Sequence, residues 1–557
     1  MKVLKIFFSI VVLGTLTAQA QISPELKTQL TAEMKIIGAV FQNQYAPKQW
    51  KERHLGWSVE KELNTALTKI ESASSVREYR DALADFVQST QDYHVSIQFY
   101  STEAATLAFS VRTIEGKTLI VGIDRARLSK EAFPFAVGDE LLAIDGKKVE
   151  DLLKELQLFS GPNIPATDLA IADMYLLYRS GRANMKVPQG PVLLTFKRAK
   201  ETEATTFQLV WEYRKEQVPG KTKESLFETT PKVKDLISMP MMVSQQALAF
   251  TKTIGTWEIG EKESFLPELG EKVWQSADDS IFEAYIYLSE KGKLVGVLRI
   301  PSYSPEDEEA ALKEIAAVLE RFEKNTSAMV IDQVNNPGGS VFYLYALVSM
   351  MITDSATTPQ HRMALDLSRV NNAASLLRML GGVKNDAEAK KILGESFSGF
   401  PVTYQLVVNI REYANFMIDQ WAAGKKLTEP HYIWGVDRIN PSAKVKYTKP
   451  IVIVINELDF SGGDFFPAIM QDNKRATIVG ARTAGAGGYV DSITFPNSFG
   501  FSGISYTGSI AERADKNPIE NLGVTPDVEI KLTVEDVRKG FTKYLDKVKS
   551  TIDSLMK

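Results

Sequence analysis

The chain has 557 residues, of which 44% are hydrophobic and 24% charged, with a net charge of −4. That length exceeds one core and the charge forms no basic stripe, so the composition describes a folded protein of several domains and argues against a nucleic-acid binder. The complete lack of cysteine excludes a disulfide framework, a thiol nucleophile, a cysteine-bound zinc and a lipid-attachment cysteine.

The N-terminus reads as a processing signal. Residues 1–5 are short and basic, residues 6–16 form an apolar run too short to cross a bilayer, and Ala18-Gln19-Ala20 has the small-x-small cleavage pattern. A signal peptide over 1–20 is expected, with a mature chain from Gln21 that is exported, periplasmic or extracellular, and not stably inserted in a membrane.

Ser23-Pro24-Glu25 is a helix start, and the apolar residues up to Phe41 recur at helical spacing. A second helical pattern covers 76–86, and 95–99 alternates as a half-buried strand does. Residues 21–102 are read as an N-terminal helical region. Residues 103–213 are β-rich, with strands near 118–121, 192–198 and 206–213, a turn-strand-turn over 135–146, and an insertion near 157–191. Residues 214–280 are mixed and rich in lysine and glutamate, and are read as a separate inserted segment. From 281 to 557 strands alternate with helices: a strand at 294–300, a helix at 306–322, and nearly all-apolar strands at 328–334 and 451–455. That alternation specifies α/β layers around a sheet buried on both faces. One amphipathic helix is expected to close the chain, opened by a Thr533/Asp536 capping box, with Val534, Val537, Phe541, Leu545, Val548, Ile552 and Leu555 on one face.

The chemistry concentrates in residues 450–490, which read as a buried strand, a Ser461-Gly462-Gly463 turn, a helix, a strand and a glycine-rich loop. A serine at a strand-to-helix turn can be held out as a nucleophile, and the glycine after it lets a backbone N–H approach an oxyanion. Position alone leaves Ser461 equally readable as the N-cap of the following helix. A base is needed, and the chain has four histidines: His54, His94, His361 and His431. His94 stands at the entry to a strand, where a side chain is rigidly held; the others lie in polar stretches. Glu520, in a loop between prolines, is a candidate orienting acid or an ordinary solvated residue. Asn335-Asn336-Pro337-Gly338-Gly339-Ser340 follows a buried strand, where α/β proteins place ligands, and is either an anion-binding turn or a plain connection. No His-Glu-x-x-His or similar metal spacing occurs, so no metal or cofactor is expected.

Together, residues 83–94, Val137-Gly138-Asp139-Glu140, Gly296-Val297-Leu298-Arg299-Ile300-Pro301, Pro337-Gly338-Gly339, residues 461–488 and residues 520–527 resemble the S41 serine peptidases, the C-terminal processing and tricorn-core family. The resemblance implies a ClpP/crotonase-like α/β peptidase core preceded by a helical region and a PDZ-like domain. One version of the family uses a Ser-Lys dyad with the lysine in a Gly-Lys-Gly loop. Here that position holds Ala486, so the dyad is absent. The other version, shared by tricorn-like enzymes and the chlamydial protease-like activity factor, uses serine, histidine and glutamate, and the match is closest there. It implies Ser461 as nucleophile, His94 as general base, Glu520 as orienter, and Gly462 and Gly338 as oxyanion donors. It further implies polypeptide substrates, a homodimer, and a segment at 214–280 able to cover the site before activation. Residues 105–111, where a PDZ carboxylate-binding loop would fall, contain no glycine, which favours a structural or dimer-forming role for that domain. The competing reading is a catalytically inactive peptide-binding protein that keeps the peptidase fold.

Overall fold

The computed structural model describes residues 22–161, 163–217 and 259–556. The expected signal peptide, and the greater part of the expected insert at 214–280, lie outside these residues.

The core is a seven-stranded sheet in the order Lys272–Gln275, Ala284–Leu288, Leu294–Arg299, Ala328–Asp332, Ile451–Ile455, Thr477–Gly480 and Val528–Glu529. The first two junctions are antiparallel and the remaining four parallel. Side-chain alternation splits the two central strands cleanly between layers. Met329, Ile331, Ile451, Ile453 and Ile455 face one core with the helices Glu308–Asn325, Val341–Met351 and Gly462–Asp472. Ala328, Val330, Val452 and Val454 face the other, which the C-terminal helices cover with Phe541, Leu545, Val548 and Ile552. Because both faces are covered, these strands carry no polar alternation, as their sequence indicated.

Two expectations about the α/β unit are corrected. Lys272–Gln275, placed in the inserted segment on composition, is the edge strand of the core sheet. Its Val273 and Gln275 side are solvent-facing and its neighbours are charged, so an edge strand there looks like a linker. The single closing helix is two, Val534–Arg538 and Thr542–Leu555. Gly540 at φ 71° and Phe541 at φ 63° break it, while the apolar stripe continues across the break. The capping box at Thr533 and Asp536 is present as expected.

The helices Pro24–Gln44, Lys48–Leu55, Val59–Ser72 and Val76–Gln88 form the N-terminal unit. The following strand Ser96–Phe99 pairs antiparallel with Phe501–Thr507, which stitches this unit to the C-terminal α/β unit. The β-rich unit is a sheet in the order Phe109–Ile114, Lys117–Ile123, Glu140–Ile144, Pro191–Lys197, Ala204–Val210. Its insertion contributes the helix Pro165–Leu177, whose Asp173 accepts hydrogen bonds from the Thr113 N–H and hydroxyl at 2.6 and 2.5 Å and so seals the edge strand. The expected carboxylate-binding stretch is a strand instead: Ala104–Thr106 pairs with both Tyr178–Ser180 and Glu212–Arg214.

Gly296 lies in Leu294–Arg299 under the Phe322 ring, where an added Cβ would sit 2.5 Å from Cδ2 and 2.6 Å from Cε2. Phe322 is fully buried, so Gly296→Ala is expected to destabilise the fold by about 1–3 kcal/mol through overpacking. A urea melt reads this as a lowered midpoint; an unchanged midpoint would mean the Phe322 ring gives way freely.

Candidate active site

The site forms where two neighbouring parallel strands end. Ile451–Ile455 runs into residues 456–461 and then the helix Gly462–Asp472; Ala328–Asp332 runs into residues 333–339. Asp459 locks the two exits together. Its Oδ1 accepts the Asn336 N–H at 2.9 Å, and its Oδ2 accepts Gln333 Nε2 at 3.0 Å and the Asn456 N–H at 3.1 Å. The Phe460 N–H donates to Asn336 O at 2.8 Å.

Ser461 sits at φ 53°, ψ −112°, outside the comfortable regions for a residue with a Cβ. Such a conformation costs about 1–3 kcal/mol and persists only when its surroundings impose it. Its side chain does not cap the helix, which removes the N-cap alternative. Its Oγ is buried and makes no hydrogen bond among the described residues. Gly338, at φ 93°, packs directly on it: a Cβ there would lie 2.5 Å from Gly462 N and 2.7 Å from Ser461 Cβ. The Gly338 N–H, expected as an oxyanion donor, instead donates to Asn336 Oδ1 at 2.8 Å. The turn is closed by an Asx-type bond, so in this conformation Gly338 contributes close approach and not a donor. The Gly462 and Gly339 N–H groups are bonded to no acceptor among the described residues. They are neighbours, with Gly339 N 3.0 Å from where a Cβ on Gly462 would be.

Asp464, three residues after the serine, is wholly buried and holds the glycine-rich loop. It accepts the Thr483 hydroxyl and the N–H groups of Gly485 at 2.8 Å and Ala486 at 3.0 Å. Burial raises its carboxyl to about 7 against those bonds. The same loop supports Glu520: Gly485 O accepts the Asn521 N–H at 3.0 Å, and the Gly487 N–H donates to Glu520 Oε2 at 3.2 Å.

His94 comes in from the N-terminal unit. Tyr93 before it packs edge-on against Phe460, which precedes Ser461, with ring centroids 5.6 Å apart. Tyr93 also donates to Asp168 Oδ1 of the insertion helix at 2.8 Å. Asp92 Oδ1 accepts the His94 N–H at 2.9 Å, while its Oδ2 takes the hydroxyls of Tyr45 at 2.9 Å and Thr507 at 2.8 Å. Burial pushes the His94 imidazole down to about 4; Asp92 opposes this and Lys51 adds to it. Both ring nitrogens are buried without a hydrogen bond among the described residues. The other histidines are accounted for differently. His361 is buried with Nδ1 3.1 Å from Ser509 Oγ and its ring stacked on Phe465, His54 stacks on Trp50, and His431 Nδ1 lies 3.0 Å from Tyr432 O.

Glu520 was expected to orient His94. Its carboxylate is held by Lys51, whose Nζ donates to Oε1 at 2.5 Å with both side chains fully buried. Burial, reinforced by Asp92, raises the Glu520 carboxyl to about 8, and Lys51 and the Gly487 N–H pull it back. His94 and Glu520 thus share the same two charged neighbours. Lys51, Asp92 and Asp464 escaped the sequence reading. Lys51 stands among Lys48, Glu52, Arg53 and His54 on a polar helix, and nothing in its type distinguishes the one side chain turned inward. Asp464 carried a signal, its place in Ser-Gly-Gly-Asp directly after the nucleophile candidate.

A strained serine at the exit of a buried parallel strand, beside a glycine turn and a buried histidine, and preceded by a PDZ domain, defines a peptidase of the α/β class. The chain belongs to peptidase family S41. That family's model matches residues 294–530, and a PDZ domain model matches residues 103–218. An uncharacterised protein of Chlamydia muridarum is 34% identical, with 94% of this chain and 92% of that protein covered, and a Chlamydia trachomatis protein matches at the same identity and coverage. Among solved structures, mature CPAF complexed with lactacystin superposes with a TM-score of 0.82 at 34% identity, covering 96% of this chain and 99% of that one. A serine-to-alanine mutant of CPAF superposes with a TM-score of 0.85 at 33% identity, covering 96% and 98%.

Gly338→Ala is expected to leave a folded chain while displacing Ser461 and Gly462, because neither Gly462 N nor Ser461 Cβ can yield without moving the elbow. Displacements of this size cost about 10²-fold in turnover. Circular dichroism beside a peptidase assay reads the split; wild-type activity in this variant would show that the turn can open without consequence.

Proposed function

We propose that this chain is an exported serine endopeptidase that hydrolyses polypeptides through Ser461, His94 and Glu520. The observation that carries the reading is that Ser461 Oγ and His94 Nδ1 and Nε2 are buried and unbonded among the described residues, on two segments brought together by the contact of the preceding Tyr93 and Phe460 rings. Buried unpaired polar groups cost about 1–3 kcal/mol each, and native structures keep them where chemistry requires them. In the reaction His94 takes the Ser461 proton as Oγ attacks the peptide carbonyl carbon. The Gly462 N–H, with the Gly339 N–H beside it, receives the developing oxyanion. The C–N bond then breaks, the amine leaves with the proton from His94, and water hydrolyses the acyl-enzyme through the same base. Glu520 stabilises the imidazolium that forms transiently. Export rests on the N-terminal processing pattern, and a homodimer on the family resemblance.

One observation favours the second reading, a peptide-binding protein that keeps the fold. Ser461 and Glu520 are fully buried and His94 is 3% exposed, so a substrate has to open the cleft before it reaches them. Casein hydrolysis and fluorophosphonate labelling by the chain from Gln21, beside Ser461→Ala and His94→Ala, separate the two. The peptidase reading expects labelling of Ser461, a loss of at least about 10²–10⁴-fold in His94→Ala, and a loss on the order of 10⁶-fold in Ser461→Ala. An unlabelled Ser461 in a folded wild type that stays inert after limited proteolysis within 214–280 would favour the binding protein.

The pH profile follows from the same environments. His94 is already neutral above about pH 4, whereas Glu520 ionises only near pH 8. The ascending limb of kcat/KM is therefore expected at neutral to mildly alkaline pH, set by Glu520. A limb near pH 4 would assign it to His94 and leave Glu520 without a part in turnover.

A further inference from the structure

The strongest unassigned feature is Lys51, the one lysine among the described residues that is buried. It sits between the two loops that carry His94 and Glu520. Its Nζ donates to Glu520 Oε1 at 2.5 Å and to Gln91 O at 2.6 Å, three residues before His94. Gln91 O also accepts Asn521 Nδ2 at 2.9 Å, and Trp50 Nε1, beside Lys51, donates to Asn521 Oδ1 at 3.0 Å. The helix Lys48–Leu55 therefore grips the Glu520–Asn521 pair and the approach to His94 together. With the Gly487 N–H on Oε2, the Lys51 ammonium on Oε1 fixes the Glu520 carboxylate in plane and in direction.

We infer that Lys51 is a positioning residue of this peptidase, holding Glu520 as an oriented carboxylate beside His94 and bridging the two loops. The inference rests on the peptidase reading above. A buried carboxylate deprived of its cation takes up a proton, and an imidazole deprived of a neighbouring cation does so more readily. The groups facing this cluster are His94, Glu520 and Asp92, with the Tyr45 and Thr507 hydroxyls on Asp92 and the Gly487 N–H on Glu520. Lys51 is the cation acting on both His94 and Glu520, while Asp92 acts in the opposite sense on each. Removing Lys51 thus moves both groups toward their protonated, inactive forms, and the two effects add.

The test uses Lys51→Met, Lys51→Gln and Lys51→Arg in the full mature chain. Lys51→Gln retains a donor for Glu520 Oε1 and covers the case in which Lys51→Met does not fold. The neutral variants are expected to shift the acid limb of kcat/KM by about one pH unit or more to the alkaline side, with Lys51→Arg restoring it. A lowered melting temperature with an unmoved limb would overturn the inference and leave Lys51 purely structural. A second readout needs no activity. In a Ser461→Ala background, the His94 ring is followed by NMR, its signal assigned by its loss in His94→Gln. It is expected to titrate about one pH unit or more higher in Lys51→Gln than in the parent; an unchanged titration overturns the inference. If wild type shows no Ser461-dependent hydrolysis, the peptidase reading fails on its own, and the His94 titration still decides whether Lys51 governs this cluster.

Discussion

Two buried carboxylates flanking the serine hold this site open as geometry. Asp459 binds the exits of two parallel strands to each other, and Asp464 binds the nucleophile helix to the glycine-rich loop. Between them Ser461 is kept at a positive φ that a free turn would relax. Both acids are raised by burial, Asp459 well above the ordinary aspartate range. Their bonds run mostly to backbone N–H groups, which cannot move away without unravelling a strand exit or a helix start. The strain at the elbow is thereby spread over the sheet, the most rigid part of the molecule.

The remaining groups arrive from other units, which makes the site a property of the assembled chain. His94 and Lys51 come from the N-terminal helices, tied to the core by pairing of Ser96–Phe99 with Phe501–Thr507. Asp168 comes from the insertion in the PDZ domain and holds Tyr93, and Thr167 on the same helix donates to Glu457 O at 2.8 Å, just before the elbow. Ala170 and Met174 of this helix pack with Leu458, Phe460, Ala484 and Ala486. The PDZ domain is thus wedged through its insertion against the loops around Ser461, while its edge strand is sealed by Asp173. The strand Ala104–Thr106 is likewise paired on both sides by strands of this chain.

The sequence was most informative where one physical rule acts alone. Strands buried on both faces announce themselves by unbroken apolar runs, so 328–334 and 451–455 were legible, as was the capping box at Thr533. The serine elbow was legible as a strand followed by Ser-Gly-Gly. Rules failed where tertiary context decides. Lys272–Gln275 is a strand only because Ala284–Leu288 lies beside it. The break at Gly540 leaves the apolar stripe intact, so periodicity reads through it. The Gly338 N–H is taken by the Asx turn of Asn336 two residues before it, while Glu520 meets Lys51 from a distant part of the chain. Lys51 is the extreme case, since a buried lysine and a solvated one are the same letter until the acid that holds it is folded against it.

Proton binding ties this site to the stability of the whole chain. His94 and His361 are both lowered from 6.5 to about 4 by burial. The unfolded chain therefore takes up their protons first, and their contribution is lost as pH falls from 6.5 toward 4. Glu520 and Asp464 are raised, from 4.5 to about 8 and from 3.8 to about 7. The folded chain keeps their protons longer, so their contribution is present at acid pH and is lost as pH rises through 7 and 8. Between about pH 4.5 and 6.5 the two histidines and the two acids pull with opposite sign, and the balance is nearly flat. Above 6.5 only the acids remain, and ionising Glu520 withdraws stability from the fold. Lys51 limits that loss by giving the ionised carboxylate a partner inside the protein. In this chain the helix Lys48–Leu55 supplies that partner from outside the core sheet.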